Sequence, residues 1–143
     1  MSDASSAPTR IGIAVVEHDG RFLVGIRSED GPLAGYAEFP GGKCHADESA
    51  AECAIRECCE ETGLRVDVTG PLLSREYEYP HGKVELHFFL CTPAAGSAHV
   101  PSHAGFRWVL APDLPTLRFP PANDVVIDRL VDRSANRRPG TVV

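Results

Sequence analysis

Three glutamates, Glu57, Glu60 and Glu61, stand at i, i+3 and i+4, which puts their carboxylates on one face of a helix. Like charges at this spacing destabilise a helix by roughly 0.2–0.5 kcal/mol per pair. Arg56 can balance Glu52 at i−4 and Glu60 at i+4, yet the cluster stays short of positive charge. A divalent cation would supply it. Magnesium suits the donors, because it prefers hard carboxylate oxygens and binds through a few carboxylates together with substrate phosphates. The three acids alone also allow a solvated acidic helix face, so the flanking residues have to decide.

Upstream, Gly41 and Gly42 let a backbone turn tightly and approach a ligand with no Cβ in the way. Glu48 lies directly before the predicted helix start. Together the residues spell G-x5-E-x7-R-E-x-x-E-E-x-G, carried by Gly42, Glu48, Arg56, Glu57, Glu60, Glu61 and Gly63, with apolar Leu64 following. At ~7% usage per residue type, seven such identities arise by chance at about one start in 10^8. The pattern resembles the signature box of the Nudix hydrolase family. Cys58 stands where that family usually carries a larger aliphatic residue, and its apolar thiol is expected to bury there with a small loss of packing.

The resemblance implies an α/β fold, the Nudix-type α/β/α sandwich with a mixed β-sheet and a catalytic loop-helix-loop. It implies cleavage of a nucleoside diphosphate linked to a second group. It also implies that Glu57, Glu60 and Glu61 hold Mg2+, or Mn2+ in its place, helped by the Gly41 carbonyl. One glutamate then activates water and Arg56 orients Glu57, so that Glu57, Arg56 and Glu60 form the catalytic set.

The likeness covers most of residues 10–131 and looks closest to the MutT-type 8-oxo-dGTP diphosphatase branch. That branch converts 8-oxo-dGTP to the monophosphate and pyrophosphate, sanitising the nucleotide pool in support of DNA repair. Arg27, Phe39, Gly42, Tyr79 and Asn123 match its substrate-binding positions, with Phe39 and Tyr79 in the base pocket and Asn123 reading the purine edge. An amide suits that task, since it offers both a donor and an acceptor. The residue types leave other roles open: Phe39 and Tyr79 as core aromatics, Asn123 as a helix cap, Arg27 as a surface charge. Two departures matter for substrate. Ser102 stands where the branch often carries a metal-ligating glutamate, with His103 beside it, and Gly82 stands where it carries a base-contacting arginine, next to Lys83. A pyrimidine (CTP-type) pyrophosphohydrolase and a catalytically weak nucleotide-binding module therefore remain as alternatives.

The elements that must position these groups can be read from pattern. Ser49 and Glu52 form a capping box at a helix start, and Gly63 marks its end. Ala51, Ala54, Ile55, Cys58 and Thr62 give that helix a core face. Ile11–Val16 and Phe22–Ile26 read as a hairpin around Asp19-Gly20, and residues 28–42 as one loop. Strands are expected over Arg65–Thr69, Leu72–Tyr79, Val84–Leu90 and Phe106–Leu110, and a last helix over Asn123–Asp132. The 143 residues make one domain, residues 10–133, between a disordered segment 1–9 and a tail 134–143.

A net charge of −6, with Arg137-Arg138 as the only basic run, excludes a duplex nucleic-acid binder. An acidic protein takes an anionic nucleotide only with cations between them. No apolar run approaches the roughly 20 residues of a membrane span, and the N-terminus lacks signal-peptide character, so a cytoplasmic location is expected. The five cysteines are expected to be reduced thiols acting as small hydrophobes. Monomer and homodimer both remain open.

Overall fold

The computed structural model describes residues 7–27, 33–94 and 105–136. Strand β1 (Thr9–His18) turns through Asp19 and Gly20 into β2 (Arg21–Ile26). Both turn residues have positive φ, 53° and 76°, and Glu17 pairs with Phe22. This two-residue turn matches the twist of the flanking strands. Short strands β3 (Ala37–Glu38) and β4 (Gly41–Lys43) precede helix α1 (Ala50–Thr62). Long strands β5 (Val66–Tyr79) and β6 (Gly82–Pro93) follow, then β7 (Phe106–Leu110) and helix α2 (Asp124–Asn136). Short 3-10 turns cover Ala111–Thr116 and Pro121–Asn123.

The sheet is mixed. β1 runs parallel to β6 from Thr9 to Val16, and β6 is antiparallel to β5. On its other edge β1 meets β4 near its start and β2 near its end. β2 in turn pairs with β3 and β7. The alternation of side chains along a strand gives the sheet two buried faces. On one, Ala14, Val16, Leu23, Val66 and Cys91 pack against Ala54 and Cys58 of α1. On the other, Val15, Phe22, Val24 and Phe88 pack against Val126, Ile127 and Leu130 of α2. Helix, sheet and helix form three layers, the α/β sandwich expected.

Four details correct the sequence reading. The segment expected as a single loop contains β3 and β4, strands of two and three residues that exist only by pairing with β2 and β1. The two strands expected between Arg65 and Tyr79 are one, β5, whose register shifts between Val68 and Gly70 and between Pro71 and Leu73. Pro71 lacks a ladder donor and is tolerated at such an irregularity. The last helix starts at Asp124 and continues to Asn136, into the stretch expected as tail. Thr9, expected within the disordered lead-in, already belongs to β1. Residues 1–6 and 137–143, and with them most of that lead-in and tail, lie outside the described residues, as do Ser102 and His103. Among the described residues, no helix is long and apolar enough to cross a membrane.

Candidate active site

Helix α1, which carries the three candidate acids, begins as its sequence dictates. Ser49 accepts a hydrogen bond from the Glu52 N–H at 3.0 Å, and the Glu52 carboxylate accepts from the Ser49 N–H at 2.9 Å. Gly63 closes the helix in the left-handed region at φ 77°, donating its N–H to Cys59 O. Cys53, Ala54, Cys58 and Thr62 are buried, whereas Ala51 and Ile55 are only half-buried, so Cys53 belongs to the core face in place of Ala51. Burial pushes the Cys58 thiol up to about 11, which keeps it neutral and apolar at its box position.

Helix and sheet meet closely through two paired glycines, Gly12 on β1 and Gly42 on β4. A Cβ on Gly12 would stand 2.5 Å from Ala50 O, and one on Gly42 would stand 2.4 Å from Glu57 Cδ. The Glu57 carboxylate therefore lies directly over the β4 backbone, in space that only glycine leaves free.

Arg56 organises the acids around it. Its Nε and Nη2 bind the two Glu48 oxygens at 2.7 and 3.0 Å, and Nη2 also donates to Lys43 O at 3.2 Å. Its remaining nitrogen, Nη1, lies 3.1 Å from both Glu57 Oε2 and Glu60 Oε2. Glu48 further accepts from the His45 N–H, and Arg10 ties down the carbonyls of His45 and Glu48. The Arg56 guanidinium, with the His45 N–H, holds the Glu48 carboxyl down at about 2. Glu48 in turn raises Arg56 above its ordinary value. The bidentate pair Arg56–Glu48 is the geometry for which a guanidinium fork is suited. The expectation that Arg56 balances Glu52 is thus corrected: Glu52 is committed to the capping box, and the partner is Glu48.

Glu61 occupies a different environment. It accepts the Gly41 N–H at 3.3 Å, and burial pushes its carboxyl up to about 7 against that bond, with the charges of Glu38 and Glu57 and a hydrogen bond with Glu57 adding to the rise. Like charges at close range oppose one another, so the neighbouring carboxylates disfavour ionisation of Glu61. The site thus gathers Glu57 and Glu61 at Gly41 and Gly42, with Glu38 near enough to act on Glu61. Glu60 lies at the rim, 58% exposed and paired with Arg56. Among the described residues no three side-chain ligands already surround one cation position. The donor set nevertheless fits a hard divalent ion, because the carboxylate oxygens of Glu57 and Glu61 are hard donors crowded together beside the β4 backbone.

The remaining expected residues sit on the neighbouring elements. Arg27, at the end of β2, donates to Glu38 at 3.2 Å. Burial raises the Glu38 carboxyl, with Arg27 opposing the shift. Phe39 is buried and stacks on Phe119 at 5.0 Å between centroids. Asn123 closes the 3-10 turn before α2, its amide nitrogen donating to Pro120 O at 3.3 Å. Its Oδ1 accepts no hydrogen bond from the described residues, so it is not spent as a helix cap. Tyr79 stands half-exposed at the tip of β5, stacked on His81. Gly82, paired with it across the hairpin, has φ 142°, a conformation that disfavours any side chain. Sequence reasoning assigned no role to Glu38 or Arg10, and treated Glu48 only as part of the box. Each acts across the fold on a partner distant in the chain, beyond any helical or strand spacing.

A NUDIX domain model matches residues 12–129. The chain is 28% identical over 122 residues to an 8-oxo-dGTP diphosphatase of Escherichia coli strain K12, covering 85% of this chain and 95% of that protein. It is 30% identical over 95 residues to a CTP pyrophosphohydrolase of the same strain, covering 66% and 70%. Among solved structures, the MutT protein of methicillin-resistant Staphylococcus aureus 252 superposes with a TM-score of 0.72 at 26% identity, covering 90% of this chain and 98% of that one. Domain match, three-layer fold and the acid-lined helix over paired glycines agree: this chain belongs to the Nudix hydrolase family.

Proposed function

We propose that the protein is a magnesium-dependent nucleoside triphosphate pyrophosphohydrolase that converts (d)NTP to (d)NMP and pyrophosphate, with 8-oxo-dGTP as its preferred substrate. The observation that carries this reading is the pair Glu57–Glu61 at the Gly41-Gly42 backbone, with the Glu57 carboxylate directly over Gly42 and Glu61 accepting the Gly41 N–H. Glu57, Glu60 and Glu61, with the Gly41 carbonyl, would hold the metal, and Mn2+ could take its place. When bound, the metal would neutralise the polyphosphate and lower the pKa of a coordinated water.

The chain's own residues do the rest. Arg56, fixed by Glu48, restrains Glu57 and Glu60 through one shared nitrogen. A carboxylate of this group takes the proton of the attacking water. Gly42 leaves the room over β4 in which Glu57 stands beside the polyphosphate, Phe39, Tyr79 and Asn123 bind the base, and Arg27 supplies positive charge nearby. A small nucleotide is the only partner this requires. Removal of oxidised nucleotides from the pool is the role that follows.

A CTP-type preference is the second reading, favoured by the CTP pyrophosphohydrolase relative and by a backbone at Gly82 that disfavours a base-contacting side chain. Pyrophosphate release across 8-oxo-dGTP, dGTP, dCTP and CTP with Mg2+ separates them. Turnover of 8-oxo-dGTP above all others supports the first reading; CTP or dCTP equal to or ahead of it overturns that preference.

A further inference from the structure

A half-buried cation stands on β5 beside Tyr77 and Tyr79. Arg75 lies on β5 opposite Leu86 and is half-buried, yet among the described residues it makes no ion pair. It spends one N–H on Ala122 O at 3.3 Å, the carbonyl directly before Asn123. Its guanidinium carbon lies 5.0 Å from the Tyr77 ring centroid. Tyr77 is 5.9 Å from Tyr79, and Tyr79 stacks on His81 at 5.5 Å with the planes 11° apart. Arg75, Tyr77 and Tyr79 are two residues apart along one strand, so they share one face. A continuous run of contacts thus connects the Pro121–Asn123 turn to the tip of the β5–β6 hairpin, with Arg75 at its centre. That turn and that hairpin are distant in sequence, and the Arg75 bond to Ala122 spans 47 residues.

A guanidinium is suited to this role. It is planar, always charged, and can stack on an aromatic face while its edge donates to a carbonyl. Among the described residues this half-buried arginine has these two polar contacts and no carboxylate, and each contact fixes the element on its side. The polar group of the base site, the Asn123 amide, sits one residue from the carbonyl that Arg75 grips. The aromatic group, Tyr79, is the next ring along from the one that Arg75 covers, tilted 42° to it.

We propose that Arg75 is a positioning residue for the nucleobase, setting the separation between the Asn123 amide and the Tyr79 ring and so the selectivity among bases. The inference rests on the base-binding roles proposed above for Asn123 and Tyr79. It does not depend on which base is preferred or on hydrolysis itself. Arg75 touches neither metal nor scissile phosphate, so its loss acts on binding and base choice rather than on the chemical step.

The test compares the parent protein with Arg75→Met and Arg75→Lys. It combines kcat and KM for 8-oxo-dGTP, dGTP and dCTP with calorimetric Kd values for the corresponding monophosphates. Arg75→Met should weaken binding of the preferred monophosphate about tenfold, within reach of one charged hydrogen bond. It should compress the ratio between bases at least fivefold and leave kcat within about threefold. Arg75→Lys keeps the charge and a donor and should recover part of both losses. Thermal unfolding checks the fold, and if the methionine variant does not fold, the lysine variant and Tyr77→Leu carry the same comparison. Kd and base ratio both within twofold of the parent would overturn the inference, as would a uniform fall in kcat with Kd unchanged. A parent that hydrolyses none of the triphosphates, but whose monophosphate binding still drops in Arg75→Met, sinks the hydrolase reading and leaves the positioning role standing. A parent that binds all three monophosphates equally sinks the positioning role whatever its turnover.

Discussion

Gly42→Ala isolates the proposed chemistry from the fold. The backbone at Gly42 has no positive φ, so alanine can adopt it, but the new Cβ would stand 2.4 Å from Glu57 Cδ and 2.6 Å from each of its oxygens. Ordinary contact begins near 3.4 Å, so the Glu57 carboxylate must withdraw by about 1 Å. The atoms that must move are the far end of a flexible side chain, so the cost in stability is small, on the order of the ~0.5–1.5 kcal/mol of an off-rotamer side chain. The cost in rate is not small, because a misplacement of about 1 Å in a reacting group lowers turnover by ~100-fold. Gly70→Ala is the control, since a Cβ there meets nothing within 4 Å. The assay is Mg2+-dependent pyrophosphate release beside thermal unfolding. Gly42→Ala should unfold within a few degrees of the parent and fall about 100-fold in kcat/KM, while Gly70→Ala keeps both. Activity of Gly42→Ala within threefold of the parent would refute the reasoning, because Glu57 would then not need its place over β4.

The raised Glu61 carboxyl gives a stability profile of definite sign. Its folded value of about 7 lies above the ordinary 4.5, so between these values the native state binds more protons than the unfolded chain. Stability of the metal-free protein should therefore fall as pH rises from about 4.5 to about 7, and Mg2+ should flatten the slope; melting curves in chelator and in Mg2+ across that range measure it, and a melting temperature rising through that window in chelator would contradict it. Ser49→Ala removes one arm of the capping box and should cost about 1 kcal/mol. Calorimetry should show a drop of a few degrees in Tm with kcat/KM little changed, since no reacting group contacts Ser49.

The catalytic helix was legible because its determinants are local. The Ser49–Glu52 box, the 3.6-residue apolar period and Gly63 all act within one or two turns, and the structure has each of them. The β1–β2 turn was legible for the same reason. What local pattern does not contain was missed. Strands β3 and β4 are too short to carry a period and are defined by partners 11 to 32 residues away. β5 was read as two strands because Gly70 and Pro71 look like a break, although β6 pairs across both. Within the site, helix spacing identified the acids but not what holds them. Arg56 lies eight residues from Glu48, a spacing no helix rule pairs, and Glu61 reaches Glu38 and the Gly41 N–H only through the packing of α1 against the sheet.

The proposed chemistry depends on Glu57 and Glu61 holding a divalent cation together. Electron paramagnetic resonance of Mn2+ titrated into the parent and into Glu61→Gln, at pH 7.5, reads that binding directly. The account predicts that the parent binds Mn2+ and that the amide, which carries no charge, weakens it more than tenfold. Equal Mn2+ affinity in the two proteins, or no binding by the parent with nucleotide present, would contradict it.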